Sequence, residues 1–501
     1  MKSKILSLLL GCAALLNITA CNLDEDPYGF YSEDNFYKTP QDAEAALMYA
    51  YNALTYIEYS RGIFYIGELA SETCDVKAGE GFGSQELNNW TSDNNNETLS
   101  QYFKYCYIAI NRANAVIENL ANSSIDASIK DRVLGEAYFL RGYSYMNLVR
   151  VFGLVPIQRK MVKELADTYP LMAKDMDELY DFIISDFKIA EELLKVDKRV
   201  GRANQVAAQG FIAKAYLTIA SSKESNVPKY KDMRRDVATM YDSAAFYSRK
   251  VIYDQSLYQL DDNLQSIYDV NKPDGSEHIF IMSLDRSGQN EGNYSKLGMM
   301  FHPWANGNSF YLKDNDGSLT YCSYGWEVFQ TTSAFYNSFV NTDKRKTELM
   351  VAEYYDKDGN VAGKLGSTFS FAFTRKYVDP DFDGQKSSAK PYLLRFSDVA
   401  LVYAEAVGAT TEGYEWLNKI RSRAGLTGVR PGMNDTEFRD AVIQERAWEF
   451  AFEGQRLYDL RRKGMVTTKD PRAMASGISE EKAAFFPIPQ TEVDLNPNVR
   501  P

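Results

Sequence analysis

Apolar residues recur with a helical period over most of the chain. Between residues 131 and 152 they fall at three- and four-residue intervals on two sides of the helix. A surface helix has one apolar stripe, so two stripes predict a helix that packs between neighbours. The same period predicts helices over residues 43–57, 99–120, 131–152, 175–194, 204–220, 233–253, 394–406, 411–424 and 436–452.

The helical pattern is interrupted between residues 261 and 390, where Gly, Asn, Ser and Asp crowd together and aromatic residues stand in loops. Residues 351–360 predict a β-hairpin that turns on Asp358-Gly359. The predicted fold class is therefore mostly α. Helical hairpins stacked like tetratricopeptide units form a scaffold at about 40–255 and 394–465, although the strict repeat signature is absent. A loop-rich insertion at about 261–390 carries short β hairpins, and insertions of this length are usually functional.

Charge and histidine content exclude several functional classes. The 501 residues contain 56 Lys and Arg against 68 Asp and Glu, a net charge of −12. An acidic chain without a basic cluster lacks the electrostatic footprint of a nucleic-acid-binding protein, so we expect no nucleic-acid partner. His278 and His302 are the only histidines. This scarcity argues against most zinc sites and against Ser/His or Cys/His nucleophiles.

The first residues have the pattern of an export signal. Lys2 and Lys4 precede an apolar run at 5–16 that is too short to span a membrane. The run ends at Ile18-Thr19-Ala20-Cys21, which resembles a bacterial lipobox, and the acidic residues 24–26 resemble a Bacteroidetes surface-export signal. We expect a signal peptide at 1–20, lipidation of Cys21 and a single domain at 21–501. An ordinary signal peptide with a chance cysteine is the alternative.

The remaining cysteines predict no disulfide framework. Beyond the signal peptide and Cys21, the chain has Cys74, Cys106 and Cys322. An odd number cannot pair completely within the chain, and no C-x-x-C motif is present, so a zinc ribbon is also excluded. The predicted domain must therefore be stabilised by packing.

Three patterns could carry chemistry, and each has a simpler interpretation. Glu445, Glu449 and Glu453 lie four residues apart on one helix face, where like charges repel. We interpret them as a structural ion-pair network rather than a catalytic or metal cluster. Their expected partners are the arginines nearest in sequence, Arg446, Arg456, Arg461 and Arg462.

The other two patterns are incomplete motifs. Residues 379–384 match the first half of an EF-hand loop, but Lys390 stands where the bidentate Glu is needed. Residues 359–364 are one residue short of a phosphate-binding P-loop. The sequence therefore predicts no metal, no cofactor and no catalytic residues.

Four segments, taken together and in order, resemble the SusD/RagB family of lipoproteins. They are EAYFLRGY with LVRVFGLVP (136–156), LLRFSDVALVYAEA (393–406), ERAWEFAFEGQR with YDLRR (445–462), and FPIP (486–489). The resemblance implies a mostly α fold built on four tetratricopeptide-like hairpins. It also implies a surface-exposed outer-membrane lipoprotein that binds nutrients, usually glycans, without being an enzyme. Such a protein delivers them to a SusC-like TonB-dependent transporter, over which it closes like a lid.

Two other functions stay open on the sequence alone. The same family fold also serves capture of peptides or glycopeptides. A glycoside hydrolase needs only two carboxylates at a defined separation, and the chain has 68 acidic residues from which to supply them. We regard glycan binding as the main hypothesis.

A sugar-binding site requires a particular combination of side chains. Sugar C–H faces pack on flat aromatic rings, while sugar hydroxyls need polar partners to offset their desolvation. Residues 87–94 and the aromatic loops of residues 301–326 have this combination, and the resemblance implies that binding residues come from these regions. For each Trp, the alternative is that it closes a local core. The candidate ligand-binding residues are Asn88, Trp90, Asp93, Trp304, Tyr311, Tyr321 and Trp326.

The lipobox generates the first testable prediction. Replacing Cys21 with Ala should release the protein from membranes while leaving it folded, because attached acyl chains are its only predicted anchor. Membrane fractionation and the far-ultraviolet circular dichroism of the soluble fraction measure the two effects. Retention of Cys21→Ala on membranes at high salt would contradict the prediction.

Overall fold

The structure is a computed structural model that describes residues 37–121, 123–290 and 292–499. The predicted signal peptide and Cys21 lie outside the described residues. Within the described residues, no helix combines the length and apolar character that crossing a membrane requires.

The first half of the described chain is a series of helices in which each long helix packs on the next. The helix α5 contacts α4 on one side and α6 on the other, and Phe139, Leu148 and Val151 are fully buried in it. This confirms the prediction of a helix between neighbours. The helices are α1 (Pro40–Thr55), α2 (Ile57–Leu69), α3 (Phe82–Asn88), α4 (Glu97–Ala121), α5 (Ala127–Phe152), α6 (Met176–Leu193), α7 (Gln205–Glu224) and α8 (Val237–Tyr253).

Local sequence signals explain where these helices begin and end. The α1 helix begins with Pro40 in its first turn, and Thr39 and Asp42 form a capping box around its first amides. The α5 helix ends at Gly153, whose φ of +75° lies in the left-handed region that glycine adopts without strain. The predicted helix at 233–253 begins later, at Val237, because the Asp236 side chain caps its first turn.

Short strands and helices fill the chain between α8 and the C-terminal helices, and one further short strand lies earlier, between α2 and α3. A four-stranded antiparallel sheet has the order β4-β3-β7-β8, and the predicted hairpin is confirmed as β7 and β8. The remaining strands pair two by two. The elements are β1 (Cys74–Val76), β2 (His278–Ile281), α9 (Leu297–Phe301), β3 (Phe310–Lys313), β4 (Leu319–Cys322), β5 (Phe329–Thr331), α10 (Ser333–Ser338), β6 (Met350–Val351), β7 (Glu353–Tyr355), β8 (Val361–Lys364), β9 (Phe373–Thr374) and β10 (Tyr392–Arg395).

Helices return after β10. The predicted helix at 394–406 was wrong at its start, because Tyr392–Arg395 pairs with β2 and the helix begins at Phe396. A short, wholly apolar run is compatible with a buried strand as well as with a helix. The helices are α11 (Phe396–Val407), α12 (Thr411–Arg423), α13 (Asp435–Glu449), α14 (Arg456–Arg462), α15 (Val466–Lys469), α16 (Pro471–Ser476), α17 (Glu480–Ala484) and α18 (Gln490–Leu495).

Two hydrophobic cores follow from this arrangement. The larger core is continuous and includes residues of both the early helices and the C-terminal helices. A smaller core lies under the inner face of the four-stranded sheet and fixes its orientation. It consists of Phe310, Leu312, Cys322, Val351, Tyr354, Phe369, Phe371, Phe373 and Val378.

The three aligned glutamates form a buried ion-pair network, which confirms their structural role. Arg395 lies at its centre, only 1% exposed, and its guanidinium contacts Glu277 at 2.7 Å, Glu453 at 2.9 Å and Glu449 at 3.2 Å. Further cations surround the same carboxylates. They are Arg345 and Arg421 at Glu445, Arg423 at Glu449 and Lys376 at Glu453.

The predicted partners of these glutamates were wrong. Three of the four arginines nearest in sequence pair with other carboxylates instead. In a second buried network, Arg446 contacts Asp398 at 2.7 Å and Asp459 at 2.9 Å, whereas Arg461 bonds only to backbone carbonyls among the described residues. Arg462 also contacts Asp459, and Arg456 contacts Glu72. Their carboxylate partners lie on α11, on α14 and just after α2, which belong to the helical part of the chain rather than to the insertion.

Arg395 allows a test of the first network. The Arg395→Met variant should lose about 3–5 kcal/mol of unfolding free energy, because removing one partner leaves buried carboxylates uncompensated. Chemical denaturation measures the loss. The matched control is Arg430→Met: Arg430 is 60% exposed in its pair with Glu437 and should contribute about 0–1 kcal/mol. Equal effects of the two substitutions would contradict a structural role for Arg395.

Acid should weaken both networks. Burial opposes ionisation of Glu449, Glu453, Asp398 and Asp459, but the neighbouring cations outweigh it, so the pKa of each carboxyl lies below its usual value. Their stabilisation is complete above the unfolded-state pKa of about 4 and is lost as the pH falls below it. The unfolding free energy, measured from pH 7 down to pH 3, should fall less steeply in Glu449→Gln. An identical slope in that variant would contradict the prediction.

Candidate functional site

Trp90 is a core residue. Its side chain is 1% exposed, its ring stacks on Phe486 with centroids 5.7 Å apart, and its indole N–H donates to Asp470 at 2.8 Å. The prediction of an exposed stacking platform at Trp90 was therefore wrong. The physical reason is that the C-terminal tail, which carries Asp470 and Phe486, covers the loop that follows α3.

The other two candidates of this loop differ from each other. Asn88 is buried, and its side-chain amide donates to the carbonyl oxygens of Leu69 and Cys74 at 3.2 and 3.3 Å. These contacts occupy its amide N–H groups, so the prediction that Asn88 binds a ligand was wrong. Asp93 is exposed and accepts a hydrogen bond from the Asn95 backbone. Its role in binding stays a prediction.

Trp304 is the exposed tryptophan of the second region. Its side chain is 48% exposed, and its ring makes an edge contact with Tyr324, with centroids 5.3 Å apart. The Trp304 backbone N–H donates to a carboxylate oxygen of Glu327 at 2.7 Å. The indole is therefore fixed at its base while much of its surface faces solvent.

Backbone strain concentrates around Trp304. Ala305, Asn306 and Glu327 have φ values of +45°, +55° and +63°, in the left-handed region that residues with a side chain rarely adopt. Residues in such conformations persist where the surrounding structure imposes them, and they cluster at functional sites. We call Trp304, Tyr324 and Glu327, with the turn at 305–307, the Trp304 clasp.

Tyr311 and Tyr321 lie side by side on the outer face of the four-stranded sheet. They are directly opposite in β3 and β4, with ring centroids 5.2 Å apart, and Tyr355 is opposite Tyr311 on β7. Opposite residues of antiparallel strands share a face of the sheet. Phe382 extends the series, because its ring lies 5.2 Å from that of Tyr321. We call these four residues the aromatic row.

Sequence reasoning missed two members of this row. Tyr355 lies in the predicted hairpin, but the sequence alone did not indicate that this hairpin pairs with β3 or which residue lies opposite Tyr311. Phe382 lies in the segment compared with an EF-hand loop, and only the carboxylates of that segment were considered as ligand-binding groups. Trp304 and Tyr324 flank the β3–β4 hairpin that carries Tyr311 and Tyr321, because Phe310 pairs with Cys322 at the end of that ladder nearest to them.

Two polar cavities adjoin the four-stranded sheet. One has a volume of about 410 Å³ and the other about 570 Å³, and Arg375 lines both. Burial lowers the pKa of Arg375 to about 10, and its guanidinium pairs with Asp314. Amide and hydroxyl groups, the partners that hydroxyl-rich ligands need, line the smaller cavity. They include Asn263, Gln265, Ser266, Asn271 and Thr320.

Trp326 has a different environment. It is half-buried against the large core, and the cationic groups of Lys296 and Arg61 lie 5.5 and 5.8 Å from its ring. Its backbone carbonyl accepts a hydrogen bond from Lys77 at 2.9 Å. Trp326 therefore stabilises the junction with the helical scaffold, and its use in binding stays a prediction.

The half EF-hand loop is filled by protein groups. The Asp379 carboxylate accepts hydrogen bonds from Arg286 at 3.0 Å and from the Ser388 backbone at 2.6 Å. Lys390 donates to the Ser388 carbonyl at 2.7 Å. A guanidinium thus occupies the side of Asp379 where an EF-hand would hold its cation. In the part of the chain that the structure describes, no group of three or more His, Cys, Asp or Glu is arranged to hold a metal ion.

Comparison with known proteins identifies the family. A family model described as the SusD family matches residues 349–500, and another, described as starch-binding associating with outer membrane, matches residues 31–217. The chain belongs to the SusD/RagB family. The SusD-like protein P2 of Formosa agariphila is 25% identical over 97% of each chain. The SusD-like protein P38 of the same organism is 27% identical over 91% of this chain and 90% of its own.

Solved structures confirm the predicted fold class. A laminarin binding SusD-like protein superimposes with a TM-score of 0.75 at 21% identity, covering 92% of this chain and 98% of that chain. Surface glycan-binding protein A from Bacteroides thetaiotaomicron, in complex with laminarihexaose, gives a TM-score of 0.71 at 18% identity over 91% of this chain and 98% of its own. At these identities the likeness establishes the fold alone.

The environment of Trp90 predicts a stability effect. Trp90→Ala should lower the unfolding free energy by about 3–5 kcal/mol, because it leaves a large cavity against Phe486. Trp90→Phe is the matched comparison: it retains a ring but removes the hydrogen bond to Asp470, and it should cost about 1–3 kcal/mol. Chemical denaturation distinguishes the two. A loss under about 1 kcal/mol in Trp90→Ala would show that the tail does not pack on this residue.

Proposed function

We propose that this protein binds glycans on the surface formed by the Trp304 clasp and the aromatic row. The observation that carries the proposal is Trp304 itself, a tryptophan that is 48% exposed yet held by a strained backbone. Burial of this exposed ring against a ligand removes apolar surface from water, and the rigid mount limits the entropy lost on binding.

The chemistry of sugars matches this surface. The C–H face of a pyranose ring packs on an aromatic face, and the rings of Tyr311, Tyr321 and Phe382 follow one another at centroid spacings of 5.2 Å. Aromatic rings in a row at this spacing can each contact one of the successive sugar units of a glycan chain. The hydroxyl groups at the chain's edges then find amide and hydroxyl partners in the adjoining polar cavities, which offsets their loss of water.

The relatives support the cargo class. Two proteins with similar structures are a laminarin binding SusD-like protein and a surface glycan-binding protein solved with laminarihexaose. We infer a glycan for this chain as well. Family membership and the lipobox support a location on the outer membrane, held by lipidated Cys21 and exposed to the medium. We infer delivery of the glycan to a SusC-like TonB-dependent transporter, without chemical conversion by this protein.

Trp304 provides the direct test. Trp304→Ala should weaken glycan binding by about 1–3 kcal/mol, by analogy with the stacking of nucleic-acid bases on aromatic side chains. Its unfolding free energy should change by about 0.5 kcal/mol or less, because the side chain is largely outside the core. The matched control is Phe246→Ala: Phe246 is 56% exposed on α8 and should leave affinity unchanged.

The experiment combines a glycan array with calorimetric titration of the glycans that bind. Unchanged affinity in Trp304→Ala would contradict the proposed surface. Binding of peptides but no glycan would replace the cargo class with the peptide alternative. Sustained release of reducing ends from a bound oligosaccharide would contradict a binder without turnover.

A further inference from the structure

A small cavity of about 40 Å³, lined mostly by buried residues, lies between α7, α14 and the residues after α17. A buried water needs about 10–15 Å³ of such space, so this cavity admits more than one water-sized particle. Its lining is unusually cationic for a buried site. The cationic residues are Arg150, Lys214, Arg446, Arg461 and Arg462, and Asp459 is the only carboxylate among the residues that line it.

Three of these cations are already neutralised. Lys214 and Arg446 share the carboxylate of Asp398, at 2.5 and 2.7 Å, while Arg462 contacts Asp459 at 2.9 Å and also pairs with Glu405. Three positive charges thus face the three negative charges of Asp398, Asp459 and Glu405. The positive charges of Arg150 and Arg461 remain.

Arg461 is buried, and no carboxylate of the described residues pairs with it. It is 6% exposed, and its guanidinium donates to the carbonyl oxygens of Arg150 at 2.9 Å and Ala483 at 3.2 Å. Its remaining terminal nitrogen, Nη2, is buried and has no hydrogen-bond acceptor among the described residues. Burial lowers the pKa of Arg461 to about 9. A guanidinium in this state is costly unless something negative lies beside it.

Arg150 adds a second uncompensated charge. It donates to the Met146 carbonyl and to the Asn147 side chain, and its guanidinium lies 4.2 Å from the ring centroid of Tyr458. Neither Arg150 nor Arg461 forms an ion pair with a carboxylate in the part of the chain that the structure describes. Partial charges of carbonyls and rings compensate the buried Arg461 and the half-buried Arg150 only in part.

We propose that this cavity binds a small monovalent inorganic anion, of halide size, between Arg150 and Arg461. The volume exceeds what one buried water needs, so a monatomic halide fits in it. Bound there, the anion neutralises charge that the protein leaves unpaired. It also attaches the C-terminal tail to the scaffold, because Phe485 lines the cavity and the ring centroid of Phe486 lies 4.4 Å from the Arg461 guanidinium. This site is separate from the proposed glycan surface.

Bromide offers a direct probe. Crystals of the protein grown or soaked in sodium bromide should show an anomalous scattering peak inside the cavity, in contact with Arg150 and Arg461. Absence of a peak there, when exposed sites in the same crystal contain bromide, would overturn the proposal.

Thermal unfolding tests the same site in solution. At constant ionic strength, replacing gluconate with chloride or bromide should raise the unfolding midpoint by about 1–3 °C, because a ligand that binds only the folded state stabilises it. The increase should disappear in Arg461→Met and Arg150→Met and persist in Arg430→Met, which alters an exposed arginine. Using two cavity variants keeps the test decisive if one fails to fold. Equal midpoints in gluconate and bromide, or an equal increase in all variants, would overturn the proposal.

Discussion

Arg395 shares one guanidinium among three buried carboxylates, and this arrangement positions the insertion on the scaffold. Glu277 lies at the start of β2, whereas Glu449 and Glu453 come from the end of α13 and the turn after it. Burying any one of these charged groups without its partners would cost free energy. The network is therefore favourable only when all of its members are buried together. Two further cations, Arg345 and Lys376, come from the insertion itself. The network therefore determines where the insertion meets the helices.

This constraint extends to the proposed binding surface through adjacent residues. Lys376 contacts Glu453 in the buried network, whereas its neighbour Arg375 lines both polar cavities beside the sheet. Both residues lie in the turn that follows β9, so the buried contact of Lys376 holds the backbone segment that carries Arg375. The small core under the sheet completes the attachment. A binding surface that is made of short strands and loops thus gains the rigidity of the helical scaffold.

The sequence predicted the helices well because their signals are local. Periodic apolar positions, caps such as Thr39 and stops such as Gly153 lie within a few residues of the features that they specify. The ion-pair partners could not be predicted in the same way. Glu449 is paired with Arg345 and Arg395, which lie 104 and 54 residues away. Strands of two to four residues carry too little periodicity to be recognised, as β10 shows.

Trp90 and Trp304 show the same limit within the candidate site. In sequence, both stand in loops with polar neighbours, and nothing local separates them. The structure separates them through contacts with distant segments: the tail covers Trp90 with Phe486, whereas Glu327 holds the backbone of Trp304 and leaves its ring in solvent. A tryptophan covered by the tail contributes stability, whereas a tryptophan held at its backbone and along one ring edge leaves the rest of its ring as a surface. The exposure of a large ring therefore indicates a binding function only when other contacts hold the ring at the surface. At Trp304 those contacts include a strained turn, whose cost the rest of the fold must offset.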